Sequence, residues 1–113
     1  MSSQPEPVLP PATWHAVLPA DELPTGAIRA VEVAGAPLVV IRLGDACVVT
    51  DRWCPHEGGD MAEGRVLGRA LKCPLHGYMF SLDHGRGLNC RGYNARLHET
   101  RVDEGMLQVR LRQ

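Results

Sequence analysis

Cys54-Pro55-His56 and Cys73-Pro74-Leu75-His76 decide how this chain is read. Each stretch offers one thiolate and one imidazole, and sixteen residues separate His56 from Cys73. Together they form a complete set of four ligands for a small metal centre. A tetrahedral zinc accepts such a set, most often as two cysteines close together and two histidines close together. Here each pair mixes one Cys with one His. A binuclear iron–sulfur cluster in which two histidines replace two cysteines on one iron suits that order better. Two facing loops then each send the Cys to one iron and the His to the other.

The immediate neighbours agree. Gly58-Gly59 follow the first pair and Gly77 follows the second. Glycine lets backbone N–H groups approach closely and turn in left-handed conformations. Bridging sulfides are acceptors that need such donors. Pro55 and Pro74 stiffen each loop just after its Cys.

Further out, short apolar runs punctuated by Gly, Pro and Asp predict an all-β domain. Thr13–Val17 reads as a first strand and 19–23 as a single helical turn before Pro24. Ile28–Val33 and Leu38–Leu43 read as a hairpin through Ala34-Gly35. Leu43-Gly44-Asp45 turns into a strand over Ala46–Thr50. Leu97–Val102 and Met106–Leu111 flank Asp103-Glu104-Gly105 as a second hairpin. From Trp53 to about Gly87 the chain is rich in Gly, His and Pro, and reads as an irregular insert organised by the metal.

The 113 residues allow one domain with a modest core, a size at which a metal often acts as a staple. A net charge of −1 gives no general pull toward nucleic acid or anionic membrane. That balance hides an asymmetry. Residues 1–63 carry three Arg against nine acids, and residues 64–113 carry eight Arg and one Lys against four. The start, MSSQPEPVLPPA, has no basic n-region or apolar h-region, so no secretory signal is expected and residues 1–12 read as a flexible arm. No apolar run reaches the roughly 18 residues of a membrane span. A cytoplasmic setting follows, where cysteines serve as ligands or free thiols.

With these residues in view, the chain resembles the Rieske [2Fe–2S] proteins. Trp53-Cys54-Pro55-His56-Glu57-Gly58-Gly59 and Lys72-Cys73-Pro74-Leu75-His76-Gly77-Tyr78-Met79-Phe80 look like the two cluster loops of that family. The β pattern around them is similar to the small soluble ferredoxins of bacterial oxygenase systems. The resemblance covers roughly Trp14 to Leu111. It implies an antiparallel β-sandwich or barrel-like base spanning 13–113, with a cluster-binding subdomain inserted at about 53–88. It also implies one Rieske-type cluster, with Cys54 and Cys73 on the inner iron and His56 and His76 on the outer, near the surface.

Departures from the family pattern sharpen the reading. Respiratory Rieske proteins carry an extra Cys in each loop, where this chain has Gly58-Gly59 and Leu75. They also present Ser and Tyr hydroxyls two and four residues after the second His, where this chain has Tyr78 and Phe80. Fewer donors to the sulfurs leave the reduced cluster less stable, so the expected potential lies low in the family's span of about −150 to +300 mV. The third loop, 86–92, lacks the Pro-rich character of many relatives, which leaves its shielding of the cluster open.

Other residues receive plainer readings. Cys47 reads as a buried, inert thiol and Cys90 as a filler in the third loop, with no disulfide between them. His15, His84 and His98 lack Cys partners and read as surface or strand histidines. Trp14 and Trp53 read as core or cluster-wall residues, Asp60 and Glu63 as solvated carboxylates. Arg65, Arg69 and Lys72 are candidates for docking an acidic partner.

The functional expectation is a one-electron carrier between a flavin reductase and a terminal oxygenase. The chain itself is not expected to turn over a substrate. An oxygenase needs a second iron site with its own His and carboxylate ligands, for which 113 residues leave no room. The alternatives are a small Rieske-like subunit of a larger oxidoreductase, such as a nitrite reductase, and a zinc-stapled interaction module.

Overall fold

The structure is a computed structural model that describes residues 13–56 and 58–112. The expected arm at 1–12 lies outside the described residues.

Among the described residues, nine strands form the framework: β1 (Trp14–Pro19), β2 (Ile28–Val33), β3 (Ala36–Leu43), β4 (Ala46–Asp51), β5 (Arg65–Leu67), β6 (Ala70–Lys72), β7 (Met79–Ser81), β8 (Leu97–Asp103) and β9 (Met106–Arg110). The only helical piece among the described residues is a 3₁₀ turn, Met61–Glu63. Among the described residues, no helix is long and apolar enough to cross a membrane.

Six strands make an antiparallel sheet in the order β1-β9-β8-β4-β3-β2, and its edges β1 and β2 come into contact, so the base is barrel-like. The β2–β3 turn works as its sequence predicts. Ala34 and Gly35 have φ of 49° and 82°, the positive pair that a tight hairpin between right-twisted strands requires. Residues 19–23 differ from expectation. A backbone bond from Glu22 N–H to Pro19 O closes a turn there, not a helical segment. Pro24 supplies no N–H with which to extend it.

β3 explains how the molecule is layered. Leu38, Val39, Val40 and Ile41 are all fully buried. Alternate residues of a strand face opposite sides, so such a run needs cover on both. Leu38 and Val40 join Val33, Val49, Leu107 and Val109 inside the base. Val39 and Ile41 face the other way and join Met61, Leu71, Phe80 and Leu82 of the insert.

The insert is more regular than its composition suggests. β5, β6 and β7 form a second antiparallel sheet, with Arg65 opposite Lys72 and Leu71 opposite Phe80. Two loops extend from this region, Trp53–Asp60 from the end of β4 and Cys73–Tyr78 between β6 and β7. The returning segment, residues 82–96, packs alongside them before β8.

Candidate metal centre

The two Cys/His loops are closed in the same way. The N–H of Cys54 donates to Gly59 O at 2.7 Å, and the N–H of Cys73 donates to Tyr78 O at 2.7 Å. Each bond joins a Cys to the residue five positions later, so each His sits at the crown of a pinched loop. Gly58 N–H also returns to Cys54 O at 3.0 Å. In the second loop His76 itself adopts φ 72°, followed by Gly77 at 69°. A left-handed His is uncommon and costs backbone energy, which places strain at a ring that must point outward.

Both cysteines are buried, at 4% and 0% exposure, within the core shared with the base. His56 is half-buried and His76 exposed, their ring centroids 5.5 Å apart. The donors therefore divide into an inner pair of sulfurs and an outer pair of imidazoles. A two-iron cluster takes two ligands at each iron, which this division into pairs matches. Gly59 shows how little room the site leaves: a Cβ there would lie 2.7 Å from Cys73 Sγ and 3.0 Å from Leu75 Cβ. The donor set and this backbone approach both fit a [2Fe–2S] group. Burial pushes the Cys73 thiol pKa up, opposed by a hydrogen bond from Leu75 N–H.

Two tyrosines flank His56. The Tyr78 ring lies 4.5 Å away and the Tyr93 ring 4.8 Å, both edge to face. Tyr93 is the residue that the sequence reading missed. It sits beyond the expected third loop, in a segment with no periodicity to mark it. The third loop is fastened by Asn89, whose Oδ1 accepts from Met79 N–H at 2.8 Å and whose Nδ2 donates to Gly77 O at 3.2 Å. Cys90 fills space beneath it, buried beside Cys54 and Cys73.

The first loop is braced from outside. Arg52 donates two hydrogen bonds to Asp60, at 3.0 and 2.9 Å, and Asp60 also accepts from Ala62 N–H. The Arg52 hydrogen bond holds the Asp60 carboxyl pKa below its ordinary value. Asp60 is therefore a structural anchor and not a solvated carboxylate, while Glu63 is exposed as expected.

Several other expectations change. Trp14 lies on the outside of the base with the guanidinium groups of Arg101 and Arg110 over its ring at 4.3 and 4.9 Å. Trp53 is 46% exposed with Arg52 over its ring. Neither Trp is a core residue. Cys47 is half-buried, its thiol pKa pushed up by that burial, and all four cysteines are free. His98 is a buried strand histidine, held between Asp51 Oδ1 at 2.7 Å and Arg112 N–H at 2.8 Å. His84 is exposed and caps Arg86 N–H; His15 is half-buried in β1.

The Rieske [2Fe–2S] domain family model matches residues 13–107. The chain is 37% identical over 73 residues to ferredoxin CarAc of Metapseudomonas resinovorans, covering 64% of this chain and 68% of that one. It is 30% identical over 95 residues to the ferredoxin component of the naphthalene 1,2-dioxygenase system of Pseudomonas aeruginosa, covering 79% and 91%. A chain in a solved complex of reduced oxygenase and oxidised ferredoxin of carbazole 1,9a-dioxygenase superimposes with TM-score 0.80 at 31% identity, covering 88% and 94%. The chain also matches larger proteins, such as a cholesterol 7-desaturase of Xenopus laevis, of whose length it spans 18%.

Proposed function

The chain belongs to the Rieske [2Fe–2S] domain family, and on that premise we propose that it is a one-electron carrier serving a terminal oxygenase. When bound, the cluster takes up and releases a single electron. Cys54 and Cys73 would hold it from within the shared core. His56 and His76 would hold it from the surface side and offer the route by which an electron enters and leaves. Residues 13–113 act as one domain, with about 53–88 carrying the cluster.

The observation that supports this most is the pair of identically closed loops, each placing a Cys inside and a His outside. A rigid frame of this kind changes little when one electron is added, which suits rapid transfer. The ferredoxin relatives are electron-transfer components and not catalytic ones, and this chain takes the same role. We assign the upstream donor to a flavin-dependent reductase and the setting to the cytoplasm.

The test is stopped-flow mixing of the reduced holoprotein with an oxidised terminal oxygenase of the Rieske type. One electron per chain should pass, with bleaching and recovery of the two visible spectra. No transfer, together with recovery of the chain only in tight complex with another large catalytic subunit, would contradict the proposal.

A further inference from the structure

The positive charges of this molecule fall into two groups. Arg29, Arg52, Arg69, Arg96 and Arg110 are each held by a carboxylate. Arg42 and Arg101 are bonded to carbonyls and to Gln108. Among the described residues, the side chains of Arg65, Lys72, Arg86, Arg91 and Arg112 have no such partner; the first four lie between the start of β5 and the start of β8, and Arg112 follows β9. The segment 52–96 holds seven Lys and Arg against four Asp and Glu, while the rest of the chain holds five against nine.

Two of these cations sit on the loops that carry the site. Lys72 precedes Cys73, and its Cε lies 3.2 Å from where a Cβ of Gly77 would stand, beside His76. Arg91 lies in the turn closed by Tyr93 N–H to Cys90 O, whose last residue packs on His56. Arg65 and Lys72 line a shallow groove with Cys73 and Pro74, where Glu63 is the one carboxylate. Between the cations the surface is apolar: Trp53, Leu75, Leu88 and Tyr93 are 46%, 41%, 55% and 39% exposed. An apolar centre with a charged rim is the anatomy of a protein interface.

The opposite end of the base has the opposite sign. Asp21, Asp45, Asp103 and Glu104 occupy its turns, which Ala20 N–H to Gly105 O and Arg42 to Ala20 O tie together. β4 runs from the Asp45 turn to the insert, so the two charge groups lie at opposite ends of one strand.

We propose that the face around His56 and His76 is a cationic docking surface, built on Lys72 and Arg91, for a redox partner whose own cofactor opening is rimmed by carboxylates. The proposal rests on the cluster reading above. An end-to-end charge separation of this kind orients the electron exit toward a negative face during approach.

The test uses the reduced holoprotein and two outer-sphere oxidants of opposite charge, hexacyanoferrate(III) and tris(phenanthroline)cobalt(III). Each accepts one electron from the cluster. Between about 10 and 500 mM salt, the hexacyanoferrate rate should fall several-fold and the cobalt rate should rise. Lys72→Glu with Arg91→Glu should reverse both trends. Lys72→Gln with Arg91→Gln should weaken them. At about 100 mM salt, Asp45→Lys with Asp103→Lys should leave both rates within about twofold, because the length of β4, roughly 20 Å, exceeds the Debye length of about 10 Å. If the cobalt complex is instead favoured at low salt, following the net negative charge, the proposal is overturned. It is equally overturned if the far-end pair shifts the rates as much as the near pair. An intact visible spectrum in each variant separates these outcomes from failure of the cluster reading itself.

Discussion

The ring of Tyr93 meets that of His56 edge to face, with centroids 4.8 Å apart and planes at 80°. On the same imidazole lies Tyr78, and the two tyrosines stack on each other at 6.4 Å. The segment that follows the proline-free loop thus sets one aromatic ring against His56.

Tyr93→Ala should expose the His56 edge. Loss of the aromatic pair costs about 0.5–1.5 kcal/mol. The reduced protein should then be oxidised by dioxygen several-fold faster, while Tyr93→Phe should behave as the parent. Equal autoxidation of all three proteins would show that the ring does not shield the site.

Gly59→Ala should empty the site. The added Cβ would lie 2.7 Å from Cys73 Sγ, and Leu75 Cβ blocks the alternative path. Overpacking of this order costs about 1–3 kcal/mol. Iron content per chain should fall sharply after purification. Gly68→Ala is the control: it meets no neighbour, so it strains its turn but should keep full iron.

The Asp60 carboxyl titrates below its ordinary value of 3.8 because Arg52 donates to it. A carboxyl pKa lowered by folding adds stability above 3.8, and that stability disappears as pH falls through the folded value. Asp60→Asn should therefore lower the melting temperature at neutral pH, with the difference closing as pH falls below 3.8. A gap that stayed constant as the carboxyl became protonated would show that the ion pair is not its source.

Phe80 is fully buried in the core and has no hydroxyl to give. Tyr78 packs its ring on His56. With neither position serving as the respiratory proteins use it, the midpoint potential should lie low in the family's span, below about +100 mV. A higher value in protein-film voltammetry would mean that other donors compensate.

Much of this was legible in the residues. The two Cys/His loops were, because their residue types and spacing stand out in the sequence and each closes from its Cys to the residue five positions later. The strands of the base were, because five-to-eight-residue runs display a period and Ala34-Gly35 marks a tight turn. The sheet β5–β7 was not: strands of three residues are too short to show alternation. Nor was the Arg52–Asp60 brace, since residues eight apart meet only once the loop between them has closed. Trp14 read as core because aromatic residues usually are, yet two arginines across the strands cover it on the outside instead.

Whether Cys54, His56, Cys73 and His76 together hold one binuclear cluster is tested most directly by pulsed EPR of the dithionite-reduced protein. A rhombic signal is expected, with two imidazole nitrogens strongly coupled to the spin and two irons per chain. A cluster signal without nitrogen coupling, or a colourless protein with stoichiometric zinc, would contradict it.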